Sequence, residues 1–121
     1  MEGHATPLTE NDAEAAFVAY LTAQGWAVST TNADFTDIVA ARDDEILVAE
    51  VKGHTKSAGA AIDIGYGQLL RRIDLSASNR RHALVVPASL RWHAERVPTT
   101  VRERLGIELF LVDENWAVTQ A

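Results

Sequence analysis

The sequence contains no cysteine. This absence excludes disulfides, thiolate zinc sites and cysteine nucleophiles. No apolar run approaches the roughly 20 residues that a membrane-spanning helix needs. The first residues, Met1-Glu2-Gly3-His4, offer neither the basic region nor the apolar region of a secretory signal. We therefore expect a cytoplasmic protein with no membrane role.

Basic charge is also scarce, with 11 lysine and arginine residues against 17 acidic residues and a net charge of −6. This total disfavours a protein that coats nucleic acid through bulk positive charge. The balance is uneven, because residues 1–60 hold ten acidic and three basic residues, whereas residues 61–121 hold seven acidic and eight basic residues. The asymmetry is typical either of solvated surface or of an acidic metal site beside a phosphate-binding flank.

The chain has the length and apolar content of one globular domain, residues 1–121, with 47% hydrophobic residues. Thr9 and Asp12 predict the capped start of a first helix. A second helix is predicted over 61–75, although it contains Gly65 and Gly67, each of which weakens a helix by about 1 kcal/mol. A close approach of the helix backbone to the sheet would explain these glycines.

The apolar runs predict an α/β fold with the element order α-β-β-β-α-β-α-β. The second and third strands are joined by a short polar turn and predict a hairpin. The strand-helix-strand stretch over 46–86 implies a parallel pair with a right-handed crossover. We expect a mixed central sheet flanked by helices on both faces. Strands are predicted at 26–30, 35–41, 46–52, 83–86 and 107–112, with a last edge strand around Trp116 and Val118. A helical region broken by Pro98 is predicted at 90–105.

Three charged residues stand out in the hairpin. Glu50 and Lys52 close an apolar strand, and the period-two alternation of a strand puts them on one face with Val51 on the other. Asp37 begins the preceding run and is expected across the hairpin from Glu50. Two carboxylates this close repel each other, and a hard cation relieves the repulsion. A metal, a positioned water and charge stabilisation are what phosphodiester hydrolysis requires.

Asp37 followed by Glu50-Val51-Lys52 resembles the PD-(D/E)XK nuclease superfamily, which includes restriction endonucleases and Holliday junction resolvases. The resemblance covers about residues 10–86 and implies an αβββαβ restriction endonuclease-like core, here with a C-terminal helix-strand extension. No subfamily is identified. Thr36 stands where many members have proline, and Arg72 stands where some relatives have tyrosine, four residues after Gln68.

The resemblance implies the roles of the site residues. Asp37 and Glu50 would bind Mg²⁺ or Mn²⁺ together with the Val51 carbonyl, and Lys52 would be the catalytic lysine. Glu14 matches a first-helix glutamate that joins the metal site in many members. Gln68 matches a polar residue on the helix after the motif.

Each of these residues also has a structural interpretation. Glu50 and Lys52 could form an ordinary strand salt bridge, Glu14 could be an exposed helix acid, and Gln68 could be polar helix surface. Tyr66 and Trp26 are interpreted as core or interface side chains rather than as base-stacking platforms.

Arginine and lysine side chains near the motif are candidates for phosphate contacts, because the guanidinium fork suits phosphate oxygens. They could equally be solvated surface. The candidates are Lys56, Arg71, Arg72 and Arg80.

These observations predict a Mg²⁺- or Mn²⁺-dependent endonuclease that hydrolyses phosphodiester bonds, with DNA favoured over RNA. A homodimer is expected, because a small domain has little surface for reading sequence, and structure-selective cutting is favoured over restriction. The alternative is a catalytically silent module of the same fold that binds nucleic acid or a protein partner.

Overall fold

The structure is a computed structural model that describes residues 7–30 and 37–121, with the side chain of Asp37 outside the described part. The described residues form four α-helices, one short 3₁₀ helix and six strands. In chain order these are α1 (Glu10–Ala23), β1 (Ala27–Ser29), β2 (Asp37–Arg42), β3 (Glu45–Val51), α2 (Ala58–Leu70), β4 (Arg80–Pro87), the 3₁₀ turn (Ala88–Leu90), α3 (Arg91–Ala94), α4 (Thr99–Leu105), β5 (Ile107–Val112) and β6 (Val118–Gln120).

The six strands form one mixed sheet in the order β1-β2-β3-β4-β5-β6. The pairs β1–β2 and β2–β3 are antiparallel, and the pairs β3–β4 and β4–β5 are parallel. The last strand, β6, is antiparallel to β5. The β2–β3 hairpin turns through Asp43 and Asp44, and Asp43 adopts a φ of 55°, which aspartate tolerates better than most residues. The predicted α/β fold, the hairpin and the parallel crossover are confirmed.

Helices cover both faces of the sheet and enclose two separate cores. On the face covered by α1, which we call the α1 face, Phe17 and Leu21 pack against Val85 and Phe110. On the opposite face, which we call the α2 face, helices α2, α3 and α4 pack against residues such as Leu84. Successive side chains of β4 and β5 therefore pack into different cores, because neighbouring residues of a strand point to opposite faces and both faces of this sheet are covered.

The start of α1 is fixed by the capping box that the sequence predicts. The Thr9 hydroxyl accepts a hydrogen bond from the Asp12 amide at 3.0 Å, and the Asp12 carboxylate accepts one from the Thr9 amide at 3.0 Å. Two amides that the helix itself cannot satisfy are thereby paired. The helix ends before Gly25, whose φ of 89° suits glycine.

Several boundary predictions were wrong: the strand predicted at 83–86, for example, spans Arg80–Pro87. Two of the other differences have local causes. The second helix spans Ala58–Leu70 rather than 61–75, because the turn held by hydrogen bonds from Ser76 to the Asp74 carboxylate follows it. Trp116 is not part of the last strand, because its φ of 65° places it in the turn before β6. Pro98 does divide the region from 88 to 105, as predicted, and lies at the start of α4, where its missing amide costs nothing.

Among the described helices, none has both the length and the apolar character needed to cross a bilayer.

Candidate active site at the carboxyl end of strand β3

Glu50 and Lys52 lie together at the carboxyl end of β3, on the α2 face. The Glu50 side chain is 1% exposed, and the Lys52 side chain is 14% exposed. The Lys52 Nζ lies 3.6 Å from the Glu50 Oε2. Val51 between them is buried in the α1-face core. The predicted alternation is therefore confirmed, and it produces a buried ion pair at a strand end.

The backbone around this pair is fixed by the central sheet. Glu50 lies beside Leu84 of β4 in the parallel register, and the Lys52 amide donates a 2.9 Å hydrogen bond to the Val85 carbonyl. Both neighbours are completely buried. The pair is thus attached to one of the most rigid parts of the molecule, as a preorganised site requires.

Helix α2 covers the pair and approaches it most closely at Gly65. A Cβ atom on Gly65 would lie 3.2 Å from the Lys52 Cε and 3.2 Å from the Leu84 Cδ1. The glycine therefore lets the helix backbone lie against the aliphatic part of Lys52, which confirms the close approach that the sequence suggests for this position. At Gly67 the prediction was wrong, because a Cβ atom there would meet nothing within 4 Å in the described part of the chain.

Gln68 lies one helical turn after Gly65 on α2. The Gln68 Oε1 is buried and has no hydrogen-bond partner among the described residues.

The Cα atom of Asp37 lies opposite that of Glu50 in the register of β2 and β3. The side chain of Asp37 lies outside the described part of the chain. The backbone therefore brings the two predicted metal-binding positions to the same place in the hairpin. The role of the Asp37 carboxylate, and that of the Val51 carbonyl, remain predictions.

The start of α1 reaches the same end of the sheet. A Cβ atom on Gly53, the residue after Lys52, would overlap the backbone nitrogen of Glu10, so only glycine fits there without displacement. The adjacent backbone is joined by a 2.8 Å hydrogen bond from the His54 amide to the Leu8 carbonyl. These contacts fix the first turn of α1 beside the residues that follow the motif.

Glu14 lies one turn into α1 and is half-buried. Burial, and secondarily the negative charge of Glu10, raise the pKa of the Glu14 carboxyl above its ordinary value. The described residues contain no group of three histidine or acidic side chains arranged to hold a metal ion. The participation of Glu14 in a metal site therefore stays a prediction.

The basic residues predicted to contact phosphate are not gathered in one place. Lys56 is exposed in the loop after β3, close in sequence to the candidate site. Arg71 and Arg72 lie at the other end of α2, and Arg80 begins β4 beside Ile46, at the amino end of the parallel strands. Lys56 and Arg80 thus lie at opposite ends of the sheet.

The aromatic residues Trp26 and Tyr66 are core residues, as interpreted from the sequence. Trp26 is 4% exposed, and the guanidinium of Arg42 lies 4.5 Å from its ring centre. Tyr66 is 6% exposed, and its hydroxyl donates a 2.6 Å hydrogen bond to the Ala94 carbonyl.

A cavity that was not predicted from the sequence lies at the carboxyl ends of β4 and β5. It has a volume of about 460 Å³, and its walls include Leu8 and Val112 together with the polar residues His54, Ser89 and Asp113. Ligands commonly bind at the carboxyl ends of parallel strands. The polar segments that directly follow the two predicted parallel strands were the signal in the sequence for this cavity.

Comparison with known proteins supports the fold. No family model matches the chain, and no curated protein matches it. A similar solved structure is that of a fdxN element excision controlling factor protein from Anabaena variabilis, with a TM-score of 0.55. The similarity covers 91% of this chain and 97% of that chain at 18% sequence identity. At this identity the similarity shows the fold alone.

Proposed function

We propose that this protein is a divalent-metal-dependent nuclease that hydrolyses phosphodiester bonds of DNA, with its active site at the carboxyl end of β3. The observation that carries the proposal is the buried pair of Glu50 and Lys52, with 3.6 Å between Oε2 and Nζ. The position of Asp37 opposite Glu50 in the strand register is consistent with it. The resemblance to the PD-(D/E)XK superfamily rests on the same three residues.

The cost of burying this pair supports a functional interpretation. Each ion loses several kcal/mol of hydration on burial, and a buried ion pair is often no more stable than apolar residues of similar volume. The α2 face offers apolar neighbours such as Leu84 that would accept a leucine at position 50. Charged groups retained in such surroundings are typical of functional sites.

The donor set fits a hard divalent cation. Mg²⁺ and Mn²⁺ prefer oxygen ligands, and Mg²⁺ is commonly held by one or two carboxylates with waters and phosphate oxygens. Glu50 supplies a buried carboxylate. In the proposed site, Asp37, Glu50 and the Val51 carbonyl hold the ion, with Glu14 contributing from α1. A metal there would polarise the phosphate and lower the pKa of a bound water.

Lys52 has a separate task in the proposed reaction. Its aliphatic part is held against Gly65 and Leu84, so its amino group is limited to a small region beside Glu50. As an ammonium it would hold a phosphate oxygen or orient the attacking water, and it would offset the charge that develops on the phosphate. Gln68, whose buried Oε1 has no hydrogen-bond partner among the described residues, would position the same water or phosphate.

The number and position of basic residues bear on the substrate. Lys56 is the predicted phosphate-binding residue closest in sequence to the site, in the exposed loop after β3. With few basic residues near the site and a net charge of −6, nonspecific duplex coating is disfavoured. Structure-selective cleavage of DNA within the cytoplasm is our proposal for its activity.

The same acidic charge favours the second candidate, a catalytically silent module that binds nucleic acid or a protein partner. Calorimetric titration with Mn²⁺ distinguishes the two candidates. The nuclease proposal predicts a binding heat that disappears in Asp37→Ala, whereas the silent module predicts no Mn²⁺ binding by the wild type.

The direct test is incubation of the purified protein with single-stranded, duplex, flap and junction DNA in the presence of Mg²⁺ or Mn²⁺. We expect cleavage of at least one substrate and a loss of about a hundredfold or more in Lys52→Ala. Arg104→Ala is the matched control, because it removes an exposed positive charge on α4. Cleavage that Lys52→Ala retains, or no cleavage with either metal, would contradict the proposal.

A further inference from the structure

The outer side of α2 has a self-complementary pattern. Its inner side packs against the sheet through Ile62, Gly65, Tyr66 and Leu69. Its outer side carries two exposed apolar side chains, Ile64 at 57% and Leu70 at 46%. These are large exposures for an isoleucine and a leucine on one short helix, and exposed apolar patches mark interaction surfaces.

The pattern is centred on Gly67. Ile64 lies three residues before it and Leu70 three residues after it, while Asp63 lies four residues before and Arg71 four residues after. A Cβ atom on Gly67 would meet nothing within 4 Å in the described part of the chain, so the helix backbone is open to a close neighbour there. Asp63 is 70% exposed, and Arg71 is exposed as well.

We propose that α2 pairs antiparallel with α2 of a second copy of this chain, with a two-fold axis at Gly67. In that arrangement Ile64 of each copy lies level with Leu70 of the other, and Asp63 lies level with Arg71. The two glycines face each other and allow close approach of the helices, so that the long Arg71 side chain reaches across to the partner's Asp63. A two-fold interface requires such a self-complementary patch.

The surroundings enlarge the surface beyond one helix. Trp92 on α3 is 69% exposed, and the guanidinium of Arg96 lies 5.5 Å from its ring centre. Arg96 also contacts Asp63 at 3.5 Å, an exposed pair that contributes little stability and can rearrange. Trp92 therefore extends the exposed apolar surface beside α2, and exposed tryptophan is typical of protein–protein contacts.

This interface does not depend on the proposed nuclease activity. It uses the outer side of α2, whereas Gly65 faces the candidate site from the inner side. It gives Arg71 a role at a dimer contact rather than in phosphate binding.

Sedimentation velocity of the full chain over a range of concentrations tests the proposal. We expect a reversible dimer for the wild type and a monomer for Gly67→Arg, which places bulk and like charge at the axis. The variant should remain folded, because arginine is a better helix former than glycine. Ala19→Arg, at an exposed position of α1, is the matched control and should dimerise like the wild type.

Charge reversal tests the pairing itself. Asp63→Arg and Arg71→Asp should each raise the dimer dissociation constant about tenfold, because each places like charges level across the axis, and the double variant should restore it. A third test uses the absence of native cysteine, since Gly67→Cys should form a disulfide-linked dimer on mild oxidation and Ala19→Cys should not. A monomeric wild type, a dimer that survives Gly67→Arg, or a double variant no better than the singles would overturn the proposal.

Discussion

At the scale of single residues, the proposed chemistry of the protein depends on Glu50 and Lys52. Both are held on the α2 face of a fully paired strand, with Glu50 almost completely buried. Apolar side chains would fill this position at lower energetic cost. The proposed function of this pair and its contribution to stability can therefore be measured separately.

We predict that Lys52→Met alone lowers the free energy of unfolding by up to about 3 kcal/mol, because it removes the positive charge beside a buried carboxylate. Combining it with Glu50→Leu should recover that loss, or exceed it by about 1–4 kcal/mol, because an apolar pair replaces a buried ion pair. Urea denaturation at neutral pH measures both effects. A double variant less stable than Lys52→Met would mean that the ion pair serves stability instead.

His82 makes the stability of the fold depend on pH. The residue is 4% exposed in β4, and burial lowers its pKa below the ordinary value, while the contact with the Arg72 carbonyl partly opposes the shift. Because the unfolded chain takes up this proton more readily than the folded one, the contribution of His82 to stability is complete at high pH. It is lost as the pH falls below the unfolded pKa of about 6.5.

The corresponding measurement is the free energy of unfolding at about pH 7.5 and about pH 5.5, on either side of the ordinary histidine pKa. We expect the wild type to lose more stability over this interval than His82→Gln, which cannot take up the proton. Equal losses in the two proteins would show that His82 does not contribute to the pH dependence.

At the scale of elements, α2 has different requirements at its two interior glycines. Gly65 faces the sheet, and a Cβ atom there would lie 3.2 Å from the Lys52 Cε and 3.2 Å from the Leu84 Cδ1. Gly67 faces outward, where a Cβ atom would meet nothing within 4 Å in the described part of the chain. Sequence patterns identify a glycine in a helix but do not say which one is constrained, because the answer depends on how the helix is rotated against the sheet. Which glycine faces the sheet therefore depends on the rotation of α2, which only the structure provides.

We predict opposite outcomes for the two alanine variants. Gly67→Ala should raise the free energy of unfolding of the monomer by about 0.5–1 kcal/mol through helix propensity, with nuclease activity unchanged. Gly65→Ala should displace the Lys52 side chain and lower cleavage by about tenfold to a hundredfold, because small displacements of catalytic groups are costly. Parallel denaturation and cleavage assays measure both. If Gly65→Ala is fully active, α2 does not position Lys52.

At the scale of the whole molecule, periodicity was sufficient to predict most of the architecture. The run 107–112 became β5 with both bounds as predicted, because an apolar run of strand length between a glycine and an acidic turn has few alternatives. Alternation likewise placed Glu50 and Lys52 on one face, as the structure confirms.

The spatial grouping of charges could not be predicted in the same way. Lys56 and Arg80 were considered together because both are basic, yet they lie near opposite ends of the parallel strands. The cavity beside His54 was missed, because it is built from segments that follow three different strands. Such groupings depend on tertiary topology, which local sequence patterns do not contain.

The central claim is that the carboxyl end of β3 binds a divalent metal ion beside Lys52. Anomalous diffraction from a crystal of the wild-type protein soaked in Mn²⁺ tests it most directly. We expect a manganese peak at coordination distance, about 2–2.5 Å, from the carboxylates of Glu50 and Asp37. An empty β3 end in a crystal that binds manganese elsewhere, or carboxylates of these two residues that point apart, would contradict it.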